Sequence, residues 1–363
     1  MDIENTTGSL LVSDLESLQL ESTRISFAIR QFIMPFICFC GLVGNTLSVV
    51  VFSRPSLRTH SCSLLLAARA ISDNGFLFTV FIVWLDFVNV CVFHTEGICQ
   101  IVLYLSYTCA FLSVWCVVLV TAENYIRMCH PHNVSQLCTT KRATYSIVAG
   151  VILSLLVYNF PLWGAKVATF NGHTYCLTKM KYLQLEIALT YIDTLLTLIV
   201  PLVLILSFMS MIIYSSLEAR RRLMRLTNQR TALLSETTRR TDSPHSKVTK
   251  LLSTVTCIFL VLHTPSHVIR IKVIVESLFG QIADTSETDR ILQQLFQVLY
   301  YMNFTVNIFI YLSCGDNFRR VFCQTLCFRR VFTESDSFQE VHENEQMRST
   351  EIVMKELSEE TLP

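Results

Sequence analysis

The chain has 363 residues, of which 52% are hydrophobic and 16% charged, with a net charge of +1. Soluble domains carry roughly 25% charged residues, so this balance excludes an ordinary soluble domain and points to a membrane protein. The fourteen cysteines do not read as a disulfide scaffold, because Cys38, Cys40, Cys62, Cys91, Cys109, Cys116, Cys257 and Cys314 lie in or beside apolar runs, where a small soft side chain packs well.

Residues 1–26 are polar and acidic and are expected outside the cell, with Asn5-Thr6-Thr7 as a glycosylation sequon. Seven stretches follow that are long and apolar enough to cross a hydrocarbon core, which takes about 20 helical residues. They lie near 27–53, 62–90, 98–129, 141–163, 187–216, 248–275 and 290–313. The first includes an uncharged run from Gln31 to Ser53 and should serve as an uncleaved anchor. Arg54, Arg58, Arg127, Lys141, Arg142, Arg220, Arg221, Arg222, Arg319 and Arg320 fall on one side, and Asp2, Glu4, Asp14, Glu16, Glu96 and Asp284 on the other. Positive residues mark the cytoplasmic side. Residues 218–246 read as a basic Ser/Thr-containing loop. The fold expected is an all-α membrane protein: a seven-transmembrane helix bundle over 27–315, a short amphipathic membrane-surface helix over 316–328 and a disordered cytoplasmic tail over 329–363.

The third stretch ends in Glu123-Asn124-Tyr125-Ile126-Arg127-Met128-Cys129-His130-Pro131. Gly44-Asn45 lies in the first stretch, Asp73 in the second, Pro201 in the fifth, Phe259 and Pro265 in the sixth, and Asn307-Ile308-Phe309-Ile310-Tyr311 in the seventh. This ordered set resembles the rhodopsin-like (class A) G protein-coupled receptors over roughly residues 28–328. Within them it is most similar to invertebrate-type neuropeptide receptors, through Phe111 to Trp115 and on to Tyr125. Family members carry acid-arginine-tyrosine at 123–125, but here Asn124 replaces the arginine. Ile308 likewise replaces the proline of the seventh helix, His263 the tryptophan of the sixth and Met209 the tyrosine of the fifth.

The resemblance implies a disulfide between Cys99 and Cys176, both on the oxidising side. It implies an extracellular ligand, expected to be a short neuropeptide, and as partners a heterotrimeric G protein, arrestin, a receptor kinase and the lipid bilayer. Glu123, Asn124, Tyr125, Arg127, Asn307 and Tyr311 would form the coupling switch. Cys323 and Cys327 are palmitoylation candidates. No cofactor, metal or nucleic-acid partner is expected. Ionisable residues within spans default to functional candidates, and Tyr107, Asp193, His263, His267, Arg270, Gln297 and Tyr301 form the expected ligand set. Arg270 would hold a carboxylate or carbonyl and Asp193 a cationic side chain; alternatively Asp193 and His267 pair with each other. Ser106, where aminergic members carry aspartate, argues against a biogenic amine.

Asn45, Arg69, Asp73, Ser113 and Asn303 form an intramembrane polar network, within which Asp73 with Ser113, Asn303 and Asn307 looks like the family's sodium pocket. Arg69, four residues before Asp73, shares its helix face. It partners Asp73, or reaches toward Glu123 and Tyr311, or snorkels toward the interface. Because Asn124 lacks charge, a ligand-scavenging or arrestin-biased receptor is the alternative to a signalling one. A transporter or channel would be expected to show repeat symmetry, and an intramembrane protease paired aspartates or a His-Glu-x-x-His helix. None of these is present.

Overall fold

The computed structural model describes residues 24, 27–170, 173–230, 244–278 and 287–326. Six helices are each long and apolar enough to cross a membrane, and a bent pair makes a seventh span. In chain order they are α1 (Ile29–Phe52), α2 (Ser61–Phe87), α3 (Ile98–Cys129) and α4 (Thr140–Val157). A hairpin of β1 (Ala165–Phe170) and β2 (His173–Thr178) follows. Next come α5, continuous through Leu183–Thr194, a π-helical turn at Leu195–Ile199 and Val200–Arg230, then α6 (Pro244–Leu278). The seventh span, α7, runs Glu287–Thr305, breaks at Val306 and resumes as Asn307–Cys314 with a bend of 51°. A last helix, α8, covers Asp316–Leu326.

The apolar residues sort by what they face. On α1, Phe32, Phe36, Phe39 and Val43 are exposed at helical spacing, a stripe suited to lipid. The opposite face of α1 buries Gly41 and Gly44. A Cβ on Gly44 would lie 2.7 Å from Ile308 Cγ2 of α7, and one on Gly41 2.6 Å from Thr305 Oγ1. These glycines let α1, α2 and α7 approach closely, the usual role of small residues where lipid supplies no hydrophobic drive between helices. Two apolar clusters complete the packing: Val114, Val117, Ile205, Met209 and Phe259 between α3, α5 and α6, and Ile37, Phe76, Leu77 and Phe304 between α1, α2 and α7. Met209 thus fills the core where the family has its tyrosine, while Tyr214 is exposed.

Two expectations need correction. Where it is described, the basic loop expected over 218–246 is helix: α5 runs to Arg230 and α6 starts at Pro244. Leu217 to Arg230 is rich in Leu, Arg, Ala, Met and Glu, all good helix formers, so nothing stops the helix at the bilayer edge. The hairpin was also not anticipated in an all-helical chain. Its signal was nonetheless present: Asn171-Gly172, a preferred two-residue turn, separates the paired residues Phe170 and His173. Asn5, Cys327 and the tail lie outside the described residues, as does the side chain of Arg270 on α6.

Candidate functional site

The hairpin is fixed to the bundle by a disulfide between Cys99, at the start of α3, and Cys176, on β2 opposite Val167, with Cα atoms 6.0 Å apart. It sits at the end of the bundle where α3 begins, called here the disulfide end.

Three cavities open at this end and share walls. The first, of ≈ 360 Å³, lies between α3, α5, α6 and α7 and is lined by Tyr107, Asp193, His263, His267, Gln297 and Tyr300 among others. The second, ≈ 610 Å³, lies toward α1 and α2 and includes Arg30, Trp84, Gln297 and Tyr301. The third, ≈ 430 Å³, lies against the hairpin and includes Tyr158, Cys176, Glu186 and Asp193. Tyr107 lines all three. Its ring stacks on Tyr158 at 5.8 Å with planes only 3° apart. Tyr158 in turn donates its hydroxyl hydrogen to Asp193 Oδ1 at 2.9 Å, holding a carboxylate that is only 6% exposed. Tyr107, Tyr158 and Asp193 therefore form the partition between the first and third cavities.

On α6, His263 and His267 lie one turn apart with Nε2 atoms 2.6 Å from each other. His263 stacks on Phe259 at 4.5 Å and both imidazoles pack against Tyr300. Of the residues expected to hold ligand, Tyr107, Asp193, His263, His267 and Gln297 meet around the first cavity. Tyr301 does not: a step of one residue turns a helix by about 100°, so Tyr300 faces the histidines while Tyr301 faces the second cavity, bonded by Gln297 at 2.7 Å. Arg30, Tyr158, Glu186 and Tyr300 were not anticipated. Arg30 stands immediately before the uncharged run, the one clue to it in the sequence.

Deeper in the bundle is a buried polar cluster. Asp73 is 0% and Arg69 1% exposed, and Arg69 Nε lies 3.7 Å from Asp73 Oδ2. Snorkelling is therefore not what Arg69 does; its head stays within the bundle. Ser113 donates to Asp73 Oδ1 at 2.5 Å and Asn307 to Oδ2 at 2.7 Å. Arg69 Nη2 donates to Asn303 Oδ1 at 3.3 Å, and its guanidinium carbon lies 5.9 Å from the Phe259 ring centroid. Asn45 donates to the Phe304 carbonyl at 2.8 Å, and the Asn307 amide also reaches the Asn303 carbonyl at 3.3 Å.

At the opposite end the residues around position 124 come together. Asn124 is fully buried and donates to Ser253 Oγ of α6 at 2.9 Å. One turn away, the Thr121 and Thr256 hydroxyls are 2.9 Å apart. Two neutral hydrogen bonds, spaced three residues apart on both helices, thus join α3 to α6. Glu123 is paired with Arg127, one turn on, at 3.5 Å. Tyr125 stacks on Phe208 and bonds His130 at 3.0 Å. Arg127 also lines a cavity of ≈ 460 Å³ with His60, Leu66, Leu251, Leu252 and Phe318. Tyr311 is buried, its ring packed on Phe52 and Phe318. On α8, Cys323 carries an exposed free thiol.

Comparison with known proteins agrees with this architecture. The chain is 24% identical to an FMRFamide receptor of Drosophila melanogaster over 88% of its own length and 58% of that protein. It is 27% identical to an FMRFamide peptide receptor of Caenorhabditis elegans over 34% of its length and 30% of that protein. It therefore spans little more than half of one of these relatives and aligns with under a third of the other. A human C-C chemokine receptor type 1 is 26% identical over 80% of the chain and 77% of that receptor. The family model for the seven-transmembrane receptors of the rhodopsin family matches residues 44–311, and the chain belongs to that family.

Proposed function

We propose that this chain is a plasma-membrane receptor for a short extracellular peptide, with its N-terminus outside, that transmits binding to heterotrimeric G proteins. The observation that carries this reading is the set of connected cavities at the disulfide end, with a carboxylate at Asp193, a guanidinium on Arg30 and a histidine pair on separate helices. Charges of both signs, set apart and joined by aromatic walls, suit a ligand with several polar groups along an apolar backbone. The similarity to proteins named FMRFamide receptors supports a peptide over a small amine. The basic residues that cluster away from the disulfide end support the orientation. The cavity beside Arg127 is the docking place for a G protein segment. Receptor kinase and arrestin would act on the Ser/Thr-bearing tail, where each phosphate adds nearly two negative charges.

A peptide library applied to cells carrying the receptor and a promiscuous G protein, read by calcium, tests this. A peptide that raises calcium only in receptor-bearing cells supports it; silence across the library, with small amines active instead, overturns the ligand class. The uncharged Asn124 motivates the second reading, a scavenging or arrestin-biased receptor. A peptide that binds and is internalised without calcium output would favour it. Ion current or cell swelling without any G protein would instead revive transport.

A further inference from the structure

The family resemblance implies a sodium ion against the aspartate of α2, and the residues around Asp73 test whether this chain suits one. A cation site needs oxygen acceptors that converge on one point. Around Asp73 the arrangement is the reverse. Oδ1 accepts from Ser113, Oδ2 accepts from Asn307, and the remaining approach is covered by Arg69 at 3.7 Å. Asn303 Oδ1, the neighbouring acceptor, is already engaged by Arg69 Nη2 at 3.3 Å. A hydroxyl or an amide can turn to offer its oxygen, but a guanidinium has donors only and stays charged. The residues do not fit a mobile cation.

We infer that Arg69 is itself the cation of this site: a tethered guanidinium that neutralises Asp73 and closes the carboxylate to sodium. Three observations carry this inference. The guanidinium is buried, at 1% exposure, where an unpaired charge would not be tolerated. It is positioned from outside its own helix by Asn303 of α7 and by the face of Phe259 of α6. Its Nε, the atom nearest Asp73, and its Nη1 make no hydrogen bond among the described residues, so the guanidinium is held toward the carboxylate by charge. A second unit charge within about 4 Å of Arg69, at an effective protein dielectric of about 20, would be repelled strongly enough to weaken binding about a thousandfold. Because the cation cannot dissociate, the occupancy of the site does not depend on the salt outside.

The test uses the purified full-length receptor, without ligand, and measures its thermal unfolding midpoint in sodium chloride and in choline chloride at equal ionic strength. The wild-type midpoint should be the same in both salts. Arg69→Ala should gain a saturable sodium-dependent stabilisation, with sodium bound about a thousandfold more tightly than any response of the wild type. The added substitution Asp73→Asn should abolish that gain. A saturable sodium effect in the wild type would overturn the inference, and so would an Arg69→Ala variant that folds and ignores sodium. If Arg69→Ala does not accumulate, the wild-type chain decides alone: equal midpoints support a tethered cation, and a sodium-specific rise refutes it. No peptide or G protein enters the measurement, so the result is independent of the function proposed above.

Discussion

The two hydrogen bonds between α3 and α6 join the helices with a strength that can be worked out, and the proposed function makes them a candidate latch. Asn124 to Ser253 and Thr121 to Thr256 are each 2.9 Å long and join side chains that are buried or nearly so. Side-chain hydrogen bonds between membrane helices average about 0.6 kcal/mol, and buried bonds in proteins generally about 1 kcal/mol. Together the pair therefore favours the joined helices by about 1.2–2 kcal/mol, which is about 8- to 30-fold in the ratio of joined to parted states. If signalling requires α3 and α6 to part at this end, the variant Asn124→Ala/Thr121→Val should raise ligand-independent G protein output by that factor. Ser253→Ala/Thr256→Val should do the same from the other helix. All four substitutions together should give no more than either pair, because each pair removes the same two bonds. Output would be measured per receptor at the cell surface, so that changes in folding are divided out. Unchanged basal output in both pairs, or fully additive effects in the quadruple variant, would refute the latch.

Three further outcomes follow from other parts of the molecule. The Cys99–Cys176 bridge closes a loop with a sequence separation of 77 residues; the chain-entropy relation assigns such a loop about 4.5 kcal/mol, so Cys176→Ser should sharply reduce folded receptor at the surface by antibody staining under non-permeabilising conditions. Asp193→Asn should weaken a cationic peptide by about 10- to 100-fold, the scale of about 1.5–3 kcal/mol for a hydrogen bond to a charged group, while Tyr158→Phe should have a smaller effect; equal potency in competition binding for Asp193→Asn would remove Asp193 from the ligand set. Gly44→Ala should lower the thermal unfolding midpoint, costing about 1–3 kcal/mol through overpacking against Ile308, whereas in an Ile308→Ala background, itself destabilised by a cavity, the same substitution should cost little because the methyl it meets is gone.

The seven spans were legible because burial in lipid demands long uncharged runs, and their order and landmark residues carried the family. The position of Arg69 was half legible: the i, i+4 spacing to Asp73 was visible, but whether its head turned inward depended on Asn303 and Phe259, which approach from helices far away in sequence. Asn124 read as a lost charge. Its partner Ser253 lies 129 residues on, and nothing local marks that serine. The tyrosine pair Tyr107–Tyr158 was missed for the same reason, as stacking across helices leaves no periodic trace. Tyr301 faces the second cavity rather than the first, a division between neighbouring residues that only the packed orientation of α7 sets. The extension of α5 is masked by a basic composition that suggests a loop, although the same residues favour helix.

The bend in α7 survives without a proline. Where a proline ring makes a kink a covalent property of the chain, here the carbonyls of Asn303 and Phe304 are met by the side-chain amides of Asn307 and Asn45. Those amides can let go. The residue at 308 keeps its own N–H, so a straightened α7 is chemically open to this chain in a way that a proline would forbid. The angle of the last span is therefore held by hydrogen bonds rather than by covalent geometry, through two asparagines on two helices. One of them, Asn307, also holds Asp73, so straightening the span and loosening the buried ion pair draw on the same amide.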